Sequence, residues 1–320
     1  MTRLCVLFCL LACAVAAAGC GDDAARGDRP VSLVLDFTPN AVHAGIYLAH
    51  SRGYDEAEGV PFTIRQPSAS GDSVKNLLSK RVDFAIMDIH DLALAREKGS
   101  EIVGVMALVQ SPLAAVIAQP AIRDPRQLAG KRVGVTGLAS DVAVLDSTIK
   151  GAGGDPSATD QVTIGFTAVP ALLSGKVDAV TAFWNVEGVA LAAEREGFHE
   201  FRVERFGAPS YPELVLVTAR TTLQDNPNLV RATVRALRRG YQEALVDPES
   251  AIEAVMSADP SQRRTALTAQ FQAISPSFTS GAKRFGDLDR GKLEAWAKWE
   301  QRFGITKRPP EVDQAFKFGL

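Results

Sequence analysis

Apolar residues fall along the chain in short, nearly unbroken runs that alternate with stretches of helical spacing. Val31 to Phe37 is the first such run, with the continuous apolar character of a parallel strand covered on both faces. Thr38-Pro39-Asn40 turns the chain, a helix is predicted to about Ser51, and Gly53 stops it. Further strands are predicted near Phe62–Arg65, Val82–Met87 and Ile102–Leu108, with a helix near Ser73–Ser79. Strand and helix in alternation point to an α/β domain with a mainly parallel sheet. The same grammar returns in "KRVGVTGLASDVAVLDSTIKGAGG", Lys131 to Gly154: strand, turn, helix and glycine stop.

A more specific echo links the two halves. "NLLSKRVDFAIMD" (Asn76 to Asp88) and "ALLSGKVDAVTAF" (Ala171 to Phe183) share a leucine pair, a serine, a base and Val-Asp before an apolar strand. The echo sets Asp88-Ile89-His90-Asp91 against Phe183-Trp184-Asn185-Val186, with Glu187 one place beyond. Ligands of open α/β sheets bind outside the carboxyl ends of the strands. Two such domains placed face to face would present both segments, and the Asp36–His43 turn, to one cleft. The chain is expected to pass between domains twice. That gives 31–117 with 215–320 as one domain and 118–214 as the other. From Pro227 the pattern is helical, and Trp296, Trp299 and Phe303 are spaced for one buried helix face.

A chain of 320 residues has length enough for two cores. It is 46% apolar and 22% charged with a net charge of -2, which gives no support for nucleic acid binding, since that needs a basic face. No stretch after residue 20 is both long and apolar enough to cross a bilayer. The four cysteines, Cys5, Cys9, Cys13 and Cys20, all precede residue 21. An apolar core from Leu4 to about Ala18 follows a single base, Arg3, and ends in Ala17-Ala18-Gly19-Cys20. This resembles a bacterial lipoprotein signal, although leucine is commoner where Ala17 stands. Residues 1–20 are then the signal peptide, Cys20 the lipidated first residue and 21–30 a polar tether. The rival reading is an ordinary cleaved signal with an incidental cysteine. A folded part without cysteine has no disulfide, thiolate nucleophile or cysteine-bound metal.

"LDFTPNAVHAGIYLAHSRGY" (from Leu35) and "VDAVTAFWNVEG" (from Val177) resemble the solute-binding proteins of ABC importers that collect pyrimidine precursors of thiamine. Those proteins share a fold with sulfonate-binding proteins and with a thiamine-pyrimidine synthase. The resemblance implies a two-domain, type II periplasmic-binding-protein-like α/β fold, with two mainly parallel sheets flanked by helices and a hinge between. It also implies that Asp36 and Phe37 touch the ligand with His43 close by, that Trp184 and Glu187 meet it from the second domain, and that Tyr211 covers it. With Asn40, Asp88 and Asn185 these form the candidate substrate-binding set. The chemistry agrees: rings hold a flat heteroaromatic, and carboxylates accept bonds from an exocyclic amine. Acids outnumber bases among the candidates, which suits a neutral or cationic ligand and opposes a sulfonate or phosphate.

Several of these residues have a second reading. Asp36 could cap the helix after the turn, although Thr38 and Asn40 are better placed to do so. His43 could bond only to backbone, and Trp184 could be core. Asp88 and Asp91 read equally as turn formers, and Asp141 reads as a helix-start acid. Phe37 stands where a tryptophan is common in the family, and "MDIHD" is unusually acidic at that strand end. No metal or cofactor is expected: His43 and His50 lie about 10 Å apart along a helix, and no Walker loop or His-Glu-x-x-His is present. The expected protein is a lipid-anchored, exported monomer that binds without catalysing and delivers its ligand to a permease with a separate ATPase. The alternatives are a sulfonate or other small-nutrient receptor of the same fold and a synthase-like enzyme.

Overall fold

The computed structural model describes residues 30–320. The signal, lipidation and tether readings at 1–20, Cys20 and 21–29 lie outside the described residues. Ten strands form two sheets of five. They are β1 (Val31–Val34), β2 (Phe62–Arg65), β3 (Phe84–Asp88), β4 (Ile102–Ala107), β5 (Ala114–Ala118), β6 (Arg132–Val135), β7 (Asp160–Thr163), β8 (Ala179–Phe183), β9 (His199–Arg202) and β10 (Leu214–Ala219). The orders are β2-β1-β3-β10-β4 and β7-β6-β8-β5-β9. In the first sheet β10 runs antiparallel to both neighbours, as β5 does in the second. The other four strands of each sheet share one direction.

These two orders are the same order. The chain crosses from β4 into β5 and returns from β9 into β10, and each arriving strand takes the fourth place. β5 begins at Ala114 and pairs wholly within the second sheet, so the first crossing precedes the expected 117/118 boundary. β1, β4 and β5 are buried along their whole length, and β3 to its last residue, as strands covered on both faces must be.

The echo has a structural cause. Ser79-Lys80 and Ser174-Gly175 make the same helix stop, and both second residues are left-handed, Lys80 at φ 58° and Gly175 at φ 69°. The aspartate of each Val-Asp then pins the start of the adjacent strand. Asp83 Oδ2 accepts the Ser32 N–H at 2.9 Å, and Asp178 Oδ2 accepts the Arg132 N–H at 2.9 Å. Lys80 is the one non-glycine with positive φ among the described residues. A left-handed non-glycine costs about 1–2 kcal/mol, partly offset in glycine by its freer unfolded chain. Lys80→Gly is therefore expected to stabilise the protein by about 0.5–1 kcal/mol, read as a rise in denaturation midpoint.

Helices close both sheets. The long Pro227–Val246 helix crosses the Ala44–Ser51 helix at glycine contacts, where a Cβ on Gly240 would stand 2.2 Å from the Gly45 carbonyl oxygen. Tyr241 on the same helix donates its hydroxyl to the Val42 carbonyl at 2.7 Å, which fixes the turn after β1. Trp296 and Trp299 of the Arg290–Phe303 helix are buried, as their spacing predicts. Among the described residues no helix is long and apolar enough to cross a membrane.

Candidate functional site

The carboxyl ends of β1 and β3 face those of β6 and β8 across a cavity of about 930 Å³, counted with its open mouth. From the first sheet Asp36, Phe37, Asn40, Asp88 and Asp91 line it. From the second come Asp141, Phe166, Phe183 and Glu187. Among the described residues that line it there is no lysine, arginine or histidine. Apolar walls come from residues such as Ile86, Met87, Leu138 and Val144.

The first lip is built by its turn. Asn40 caps the short Ala41–His43 turn, its side-chain oxygen accepting the Val42 N–H at 2.8 Å. The Asn40 N–H donates to His43 Nδ1 at 3.2 Å. That leaves the ring proton on Nε2, which donates to Asp36 Oδ1 at 2.8 Å. His43 is fully buried and does not line the cavity. It is a positioning residue that holds the Asp36 carboxylate, and the capping duty falls to Asn40.

The second lip is a single π-helical turn, Trp184–Gly188, at the end of β8. Such turns re-aim side chains and recur at functional sites. Here Glu187 is brought back to the cavity, and one of its oxygens, Oε2, accepts the Phe183 N–H at 3.1 Å. Burial pushes the Glu187 carboxyl up to about 7, and the Asp141 and Asp36 carboxylates add to the rise. Asp141 lies in the first turn of the Ala139–Gly151 helix, and its Oδ2 accepts the Thr136 N–H at 2.7 Å and the Thr136 hydroxyl. Burial raises it to about 6. Burial also raises Asp91 to about 6, against the pull of a hydrogen bond from Ser140 across the cavity. Asp88 is raised as well, by burial first; its Oδ1 caps the next helix at the His90 N–H, 2.7 Å away. Turn former and cavity wall are therefore both true of Asp88.

Rings meet across the gap. Phe37 and Phe166 pack edge to face at 4.6 Å, and Phe183 stands beside Glu187. Two expected rings are elsewhere. Trp184, the first residue of the π turn, is turned away from the gap; its indole N–H donates to the Pro112 carbonyl at 3.1 Å, and the Arg202 guanidinium lies 4.2 Å over its face. Tyr211 is fully buried, stacked on Trp299 with centroids 5.7 Å apart. Asn185 is fully buried without a hydrogen-bond partner for either amide atom among the described residues. None of these three lines the cavity. Register was the signal for the ring that does: the echo pairs Phe183 with Asp88, and both face the gap. Phe166 carries no such signal, because it sits in an irregular segment between β7 and the next helix.

Beneath Asp88 lies a second polar group. His90 Nδ1 is bound by Glu300, and His90 Nε2 stands 3.1 Å from the Tyr211 hydroxyl and 3.8 Å from Glu213 Oε1. Burial opposes the imidazolium, but the Glu300, Asp88 and Glu213 carboxylates outweigh it and push His90 up to about 10. Glu213 opens the return crossing, and its Oε2 accepts the Leu113 and Ala114 N–H groups of the outward crossing at 2.5 and 3.0 Å. One carboxylate thus ties the two crossings together.

The profile of the NMT1/THI5-like family matches residues 40–251. The chain belongs to that family. Within it, the formylaminopyrimidine-binding protein of Halalkalibacterium halodurans is 30% identical over 246 residues, covering 75% of this chain and 74% of that one. The 4-amino-5-hydroxymethyl-2-methylpyrimidine phosphate synthase of Legionella pneumophila is 26% identical over 291 residues, covering 89% and 88%. Among solved structures, the alkanesulfonate-binding protein of Xanthomonas axonopodis pv. citri superposes with a TM-score of 0.73 at 14% identity, covering 92% of this chain and 99% of that one. That likeness establishes the periplasmic-binding-protein-like fold of this NMT1/THI5-like chain, and the fold alone.

Proposed function

We propose that this chain is the solute-binding component of an ABC importer and captures an amine-bearing pyrimidine precursor of thiamine by closing two domains around it. The observation that carries this reading is the cavity wall: five carboxyl groups and three phenylalanines drawn from both sheets, with no base among the described residues that line it. Asp36 and Glu187 accept hydrogen bonds from the exocyclic amine, and Phe37 and Phe183 supply faces for the ring. Each sheet with its covering helices acts as one domain, 31–117 with 215–320 against 118–214, except that β5 from Ala114 moves with the second. Contacts from both sides shift the balance toward the shut form. Cys20 carries the lipid, the folded part works as a monomer outside the cytoplasmic membrane, and a permease with its own ATPase receives the ligand.

Relatives of both kinds exist, binding proteins and synthases. Binding without catalysis is favoured here by the export signal and by the lack of any cysteine after position 20. A sulfonate receptor shares the fold, but an anion would face Asp36, Asp88, Asp91, Asp141 and Glu187 with no cation among the described residues that line the cavity. Thermal stabilisation by a panel of aminopyrimidines, thiamine, flavins, sulfonates and polyamines tests the reading. Ligand at a hundred times its Kd stabilises by about 2.7 kcal/mol, so an aminopyrimidine is expected to raise the Tm by several degrees. A response confined to sulfonates would overturn it.

A further inference from the structure

We propose that Asp88, His90 and Glu213 form a binding site for one divalent transition-metal ion of the zinc type, set beneath the floor of the ligand cavity. One ligand atom from each lies within 4.8 Å of the other two. The His90 Nε2 to Glu213 Oε1 edge is 3.8 Å. Ligands held about 2.1 Å from a tetrahedral zinc stand about 3.4 Å from one another, so the His90–Glu213 edge closes with a few tenths of an ångström and the other two with at most about 1.4 Å.

Two further observations point to a cation. Glu213 Oε1 is fully buried and has no hydrogen-bond partner among the described residues, while Oε2 of the same carboxylate is committed to two backbone N–H groups. A buried carboxylate oxygen left bare is costly, and it is held beside an imidazole nitrogen. Next, His90 presents its Nδ1 to the Glu300 carboxylate, which leaves Nε2 directed at Glu213 and Tyr211. Carboxylate on one ring nitrogen and metal on the other is the arrangement by which proteins orient a histidine ligand.

One imidazole and two carboxylates suit zinc or manganese better than a thiolate-seeking ion. Asp88 belongs to both the ion site and the cavity wall, so the fourth position opens toward the ligand. The ion would also fasten the crossing that Glu213 holds to Leu113 and Ala114. The three ligands come from the end of β3, the helix after it and the return crossing, more than a hundred residues away. No local spacing announces them.

The test uses the full chain, stripped with chelator and dialysed against zinc chloride or manganese chloride without pyrimidine. Uptake is expected at one ion per chain with a rise in Tm, and zinc absorption-edge spectra should show nitrogen and oxygen neighbours only. Glu213→Gln keeps an oxygen for the Leu113 and Ala114 N–H groups, and Asp88→Asn leaves the cavity's shape unchanged. Each should stay folded and weaken the ion at least tenfold. Glu300→Gln should weaken it about 10- to 100-fold through His90. No uptake, a sulfur neighbour, or wild-type affinity in both ligand variants would overturn the site. Because the readout is taken without pyrimidine, failure here leaves the proposed ligand standing, and failure of the ligand panel leaves the ion site standing.

Discussion

Glu187→Gln is expected to weaken an amine-bearing pyrimidine by roughly 30- to 100-fold at pH 8, a loss of about 2–3 kcal/mol. The substitution keeps the side chain's shape and an oxygen for the Phe183 N–H. It removes the charge, and it can turn an amide N–H toward a ligand group that is itself a donor. Measurement at pH 8 matters, since Glu187 titrates at about 7 and glutamine mimics its protonated form. Asp141→Asn should cost the ligand less. Oδ2 of Asp141 already accepts from the Thr136 N–H and hydroxyl, and its first duty is to shape the start of the Ala139–Gly151 helix. Calorimetric titration of both variants decides the matter. Equal losses, or an unchanged Kd in Glu187→Gln, would remove Glu187 from the second lip.

β1, β3, β4 and β8 were legible because burial leaves an unbroken apolar run, and because the Val-Asp echo marks where β3 and β8 begin; the order of the strands was not. The cavity was half legible. Asp36, Phe37, Asn40, Asp88 and Glu187 reach it because they lie at strand ends or in the turn after one, where topology alone dictates the outlook. His43, Trp184, Asn185 and Tyr211 belong to the same segments yet point into the protein. What separates the two groups is side-chain direction: the π turn carries Trp184 away from Phe183 and brings Glu187 back. A pattern of residue types does not carry a π turn, which depends on backbone hydrogen bonds of the folded chain. The Asp88–His90–Glu213–Glu300 group was illegible for a different reason. It joins positions that only the sheet order and the C-terminal helices bring together.

Acids on both lips have a consequence beyond recognition. Asp36, Asp88 and Asp91 come from one sheet's side and Asp141 and Glu187 from the other, so bringing the lips together brings like charges together. In the ligand-free protein that repulsion favours the open form unless protons relieve it. A ligand with N–H donors does what the protons do, and the amine is thereby coupled to closure. Affinity for such a ligand then contains a term that no anionic or donor-free analogue can supply.

Raising the pH from 5 to 8 should therefore destabilise the ligand-free protein and strengthen its grip on an amine-bearing ligand. Glu187 at about 7 and Asp141 at about 6 both stand above the ordinary carboxylate range when folded. Between about pH 4 and 7 the folded state binds more protons than the unfolded one, so stability falls as pH rises. The contribution is complete below about pH 4 and is lost as the pH climbs through 6 and then 7. At about 1.4 kcal/mol per pKa unit, each group contributes at most about 3 kcal/mol. A Tm series over this range should slope downward in the wild type, and the Glu187→Gln, Asp141→Asn double variant should flatten it. Ligand N–H groups favour the ionised carboxylates, so binding near pH 6.5 must release protons, which titration in buffers of different ionisation heat will count. Proton uptake on binding, or the same slope in wild type and double variant, would mean that these two acids do not face the ligand together.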